Sequence, residues 1–124
     1  MKFSKKGYLR NSDLYREVSK STNPKPEQLA DTFNSFGLEY YHLNNSEKAI
    51  SFLQKARKIY DSIFEYSNIS TYNNLAIIYN EIGNYLESDK ICNEAIRINT
   101  LKYGNDTKEN DRFNEIISQN KKFK

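Results

Sequence analysis

The chain has 124 residues and a net charge of +3, with 37% hydrophobic and 28% charged residues. That length suits one domain with a modest core, and that balance excludes a disordered chain. A single cysteine, Cys92, excludes an internal disulfide and a thiolate zinc site, and a single histidine, His42, excludes a histidine cluster.

Other classes fall to the pattern of the residues. No apolar run approaches the roughly 18 residues that suggest a membrane span. The opening MKFSKKGYLRNSD is charged with no apolar stretch behind it, so it does not read as a secretory signal, and the expected location is the cytoplasm. Basic residues gather at the two ends, as Lys2, Lys5, Lys6 and Arg10 and as Lys121, Lys122 and Lys124. The middle mixes both signs. It lacks the basic stripe with interleaved aromatics that nucleic-acid binding needs.

In chain order, Ser12 or Asp13 can cap a short helix through Leu14 and Val18. Pro24 and Pro26 make the following stretch a link. Residues 27–43 carry Leu29, Phe33, Phe36, Tyr40 and Leu43 at steps of four and three, one face of a helix. Asn44 and Asn45 interrupt it. Ser46 starts a second helix with Ala49, Leu53, Ala56 and Tyr60 inward, widened by Ile50, Phe52 and Ile59. After a connection around Tyr66 to Asn68, a third helix carries Tyr72, Leu75, Ala76, Ile78, Tyr79 and Ile82. Gly83-Asn84 ends it, as a glycine in a left-handed cap does. The fourth helix has Ile91, Cys92, Ala95, Ile96 and Ile98. Gly104-Asn105 marks a loop, and Asp106 or Thr107 can cap a fifth helix through Phe113, Ile116 and Ile117. No segment alternates at period two long enough to be a strand.

The chain also matches itself when shifted by 39 positions. Phe33, Phe36, Gly37, Tyr40 and Leu43 fall on Tyr72, Leu75, Ala76, Tyr79 and Ile82. Ala49, Leu53, Ala56 and Ile59 fall on Ser88, Cys92, Ala95 and Ile98. Each unit is thus a helical hairpin with small residues at fixed places, where the two helices can approach closely. A lone hairpin cannot bury both its faces, so such units stack. More faintly, Phe113 and Ile116 fall on Tyr72 and Leu75.

The pattern aromatic, large apolar, small, Tyr, then Ala or Ser, large apolar and Ala resembles the tetratricopeptide repeat family. The resemblance covers about residues 29–100. The first aromatic is Phe or Tyr in place of Trp, and Asp61 and Thr100 stand where the family closes with Pro. The period exceeds the family's usual length of about 34. The longer unit is similar to those of kinesin light chains and of bacterial peptide-sensing repeat proteins.

The resemblance implies an all-α fold, a short right-handed solenoid of two helical hairpins with a capping helix at each side. The expected organisation is a basic segment with a capping helix and link over 1–26, then two hairpins within 27–104, at 27–62 and 68–100. A C-terminal capping helix over 105–120 and a basic tail at 121–124 complete it. The implied function is binding of a peptide or protein partner through the concave face of the solenoid, lined by the side of each unit's first helix that points away from the core. The residues there are Asn34, Leu38 and Tyr41, then Asn73, Asn74, Ile77 and Asn80, with Asp31, Ser35, His42 and Glu81 beside them. Asn amides both donate and accept, which suits a peptide backbone. Asn74 sits where the chaperone-binding subclass has a clamp Asn, but Asn34 and Leu38 occupy the places its lysine requires. Self-association is the alternative reading. No nucleophile motif, phosphate loop or cofactor motif is present, so no cofactor, no metal and no catalysis are expected. Cys92 reads as a buried core thiol, and the acids Glu87 and Asp89 read as parts of a solvated helix face.

Overall fold

The computed structural model describes residues 25–63, 69–104 and 107–123. The predicted helix near Leu14 and Val18, the Pro24 side of the link and the connection around Tyr66 lie outside the described residues. Five helices are described: α1 Pro26–His42, α2 Ser46–Ser62, α3 Ile69–Glu81, α4 Tyr85–Tyr103 and α5 Lys108–Lys121. No strand occurs among the described residues. The chain forms two compact units, Met1–Ser67 and Asn68–Lys124.

In the first unit, Pro26 opens α1, where its fixed backbone angle suits a first turn and its missing N–H costs nothing. The helix ends because Asn44 enters the left-handed region at φ 60°. The Asn45 N–H then donates back to the Tyr40 carbonyl at 2.8 Å, and the Asn45 side chain caps α2 by accepting from the Lys48 N–H at 3.1 Å. The resulting hairpin buries Ala30, Phe36, Tyr40, Ala49, Leu53, Ala56 and Tyr60. Gly37 is the point of closest approach. A Cβ there would lie 2.5 Å from Leu53 Cγ and 3.2 Å from the Ala49 carbonyl oxygen. Phe52 stacks against Tyr40 with planes 2° apart and centroids 5.5 Å apart, and Phe33 and Phe36 flank it. Lys55 places its ammonium 5.2 Å from the Phe52 ring centre, covering the half-buried ring with a charge that stays wet.

The second unit repeats the main bonds of the turn 39 residues later. Gly83 takes the left-handed place of Asn44, at φ 83°. The Asn84 N–H donates to the Tyr79 carbonyl at 2.8 Å, and its side chain accepts from the Glu87 N–H at 3.3 Å. The hairpin of α3 and α4 buries Tyr72, Leu75, Ala76, Ile78, Ile91, Cys92 and Ala95. Four predicted apolar positions of this hairpin are not buried: Ile96 and Ile98 on α4 are half-buried, and Tyr79 and Ile82 differ as well. Tyr79 is only half-buried, with Ile78 beside it inside. Ile82 lies past the end of α3 and is 50% exposed, because the helix stops before it turns inward.

α5 packs on α4 and touches α3. Thr107 caps it, accepting from the Asn110 N–H at 3.3 Å. Phe113 and Ile116 are buried, as predicted from their match to Tyr72 and Leu75. Three buried asparagines hold it as well. Asn99 of α4 donates to Asn110 at 3.1 Å, and Asn110 donates to Thr100 at 3.1 Å. Asn120 donates to Ser88 Oγ at 2.9 Å and to Asp89 at 2.7 Å. Glu87 pairs with Lys90 on a solvated surface as expected. Asp89 does not belong to that surface: it is half-buried because it receives Asn120.

Candidate partner-binding surface

On α1, Asn34, Leu38 and Tyr41 recur at steps of four and three, so they form one row on the helix. All three are half-buried. Asn34 and Tyr41 are also engaged within the chain, and the Tyr41 ring lies 5.7 Å from His42. Asp31, one turn before Asn34, is turned back to its own unit, where it accepts the hydroxyl proton of buried Tyr60.

On α3 the same row is Asn73, Ile77 and Asn80, with Asn74 beside it, all half-buried. Their surroundings differ sharply. Asn80 donates to Asn120 Oδ1 at 2.6 Å, so its amide N–H belongs to the α3–α5 junction. Asn73 is the opposite case. Its Oδ1 is out of contact with water and has no hydrogen-bond partner. Asn73 also lines a cleft of about 220 Å³ between α3 and α5, together with Ile69, Ser70, Glu109, Arg112 and Phe113.

Sequence reasoning missed the α5 side of this arrangement. Residues 109 and 112 carry no pattern of their own and reach the cleft only through packing. Asn120 left one trace: carried on from the match of Phe113 to Tyr72, it falls where the two hairpins have Tyr40 and Tyr79. A polar residue in that place signals a buried network.

No group of three or more metal-ligating side chains comes together among the described residues. No described helix is long and apolar enough to cross a membrane. Burial, and secondarily the charge of Asp89, push the Cys92 thiol up to about 12, so it is a core group with little thiolate character.

Two family models, each described as a tetratricopeptide repeat, match residues 30–62 and 69–107, more than half of the chain between them. The chain belongs to the tetratricopeptide repeat family. The two matched segments coincide with the hairpins α1–α2 and α3–α4. No curated protein matches the chain. Tetratricopeptide repeats are in general protein–protein interaction modules and typically non-catalytic scaffolds.

Proposed function

We propose that this tetratricopeptide protein binds a protein or peptide partner through the first helix of each hairpin. The surface is the row Asn34, Leu38 and Tyr41 on α1 and the row Asn73, Asn74, Ile77 and Asn80 on α3. Leu38, Tyr41 and Ile77 supply apolar anchors, and the asparagines supply donors and acceptors for a backbone. The observation that carries this reading is Asn73. A shielded acceptor left without a donor costs roughly 1–3 kcal/mol of folding free energy. That cost is relieved when the half-buried side chain turns its amide outward to a partner that supplies the donor. The outer helices α2 and α4 support the reading by contrast. Their surfaces carry one-turn ion pairs, Arg57 with Asp61 and Arg97 with Glu94, which satisfy themselves within the helix. We place the action of the module in the cytoplasm and assign it no cofactor.

Affinity capture from a lysate, followed by capture with two double variants, tests this. Asn74→Ala with Ile77→Ala is expected to lose the recovered partner while keeping its helicity. Lys90→Ala with Arg97→Ala, on the outer face of α4, is expected to retain it. The reverse pattern would move the working surface to α4.

A further inference from the structure

The second unit is apolar at a turn where the first is polar. Tyr85 and Leu86 open α4, and the matching places at the start of α2 hold Ser46 and Glu47. The end of α5 is tied to this turn. Asn120 donates to Ser88 Oγ at 2.9 Å and to Asp89 at 2.7 Å. Phe123 stacks on Tyr85, with ring centroids 5.6 Å apart. All these residues belong to one compact unit. Ile82 is 50% exposed, Leu86 69% and Phe123 65%, so folding leaves three large apolar side chains in water at one end. Lys121 and Lys122 are exposed beside Phe123, and neither pairs with a described residue. The acids of this end are committed. Glu87 pairs with Lys90, Asp89 receives Asn120, and Glu81 is engaged within the chain. The end therefore combines exposed apolar side chains with uncompensated positive charge.

We propose that this end docks on the surface of an anionic lipid bilayer. Ile82, Leu86 and Phe123 enter the boundary between headgroups and acyl chains, and Lys121 and Lys122 stay among the headgroups. Attachment at such an interface draws on two signals, apolar burial and basic charge, and this end carries both. Two other occupants lack what they need. A peptide side chain is held by walls, and here each of the three apolar groups is at least half exposed. A second copy paired about a two-fold axis brings two more lysines to this end, with no uncommitted acid there to answer them. A fluid apolar layer under anionic headgroups requires neither walls nor acids. The proposal uses neither row on α1 and α3, so it stands apart from the partner-binding reading.

The test is co-sedimentation of the full-length protein with vesicles of phosphatidylcholine, alone or with about one-third phosphatidylserine. Binding to the anionic vesicles is expected to exceed binding to the neutral ones about ten-fold and to fall as salt is raised. Leu86→Asp with Phe123→Asp is expected to abolish it. Lys121→Gln with Lys122→Gln is expected to weaken it about five-fold for each lysine removed. Leu101→Asp is the control. Leu101 is 76% exposed beside Lys102 but lies roughly 22 Å along α4 from Leu86, so binding should survive its change. The chain has no tryptophan, so Leu86→Trp gives a local reporter, whose emission is expected to shift to the blue on anionic vesicles. Equal binding to both vesicles overturns the proposal, and so does anionic binding that Leu86→Asp with Phe123→Asp leaves intact. Loss of binding in Leu101→Asp overturns it too. No vesicle binding at all also overturns it; if the protein then dimerises and Leu86→Asp dissolves the dimer, the surface belongs to a second copy.

Discussion

Gly37 sits where a methyl group has nowhere to go. The atom it would strike, Leu53 Cγ, is the branch point of a side chain with no exposed surface. In the second hairpin the corresponding pair is Ala76 and Cys92, both fully buried. One partner is larger by a methyl and the other is smaller by more than that, so the second pair has room for the added Cβ. Gly37→Ala gains about 0.5–1 kcal/mol of helix propensity and loses about 1–3 kcal/mol to overpacking. We predict a net loss of about 1–2 kcal/mol in urea denaturation, largely relieved when Leu53→Cys is added, although Leu53→Cys alone destabilises by leaving a cavity. Additive costs would show that the two residues do not share one contact. Cys92 gives a second expectation. Its thiol is raised from about 9 to about 12 in the fold, first by burial and then by Asp89. Above pH 9 the unfolded chain gives up that proton while the folded chain keeps it. Stability conferred by the neutral thiol is therefore complete below pH 9 and is lost as pH rises toward 12. Compared with a Cys92→Ala variant, the native protein should lose stability more steeply across that window. Equal slopes would contradict the burial of the thiol.

The helices themselves were largely legible before any coordinates. Phe33, Phe36 and Tyr40, or Leu53, Ala56 and Tyr60, recur at helical spacing because one side of each helix must be dry. Gly83 ended its helix in the left-handed cap expected of it, and Asn44-Asn45 interrupted theirs as expected; that Asn44 is also left-handed and that Asn45 and Asn84 cap the next helices came from the structure. What could not be read was how α5 is held. Periodicity reports apolar faces, and the junction of α5 uses Asn99, Asn110 and Asn120, which periodicity scores as surface. Asn120 is the keystone, joining Asn80, Ser88 and Asp89 across three helices. Asn120→Ala should cost about 2–3 kcal/mol, because it strands buried polar partners. Replacing Glu94 in its exposed pair with Arg97 should cost under about 1 kcal/mol. Thermal melts of the two variants check this, and equal shifts would show that the network is not closed in solution.

Taken together, the 39-residue self-match and the two family matches describe one design used twice: a hairpin whose second helix bears self-paired charges and whose first helix keeps its polar amides. The sequence row on α3 was legible as Asn73, Ile77 and Asn80, because the repeat fixes which side of the helix is not core. Which of those amides is committed was not legible, since Asn80 is claimed by α5 and Asn73 is left with an unmet acceptor. That division sharpens the binding reading. Asn73, Asn74 and Ile77 should feel a partner strongly, and Asn80 should feel it less. The most direct measurement is the 15N–1H spectrum of the full-length protein with and without the partner recovered by capture. The account predicts that perturbed signals cluster on the rows through Asn34, Leu38 and Tyr41 and through Asn73, Asn74 and Ile77. Perturbations confined to the outer surfaces of α2 and α4, around Arg57, Lys90 and Arg97, would contradict it.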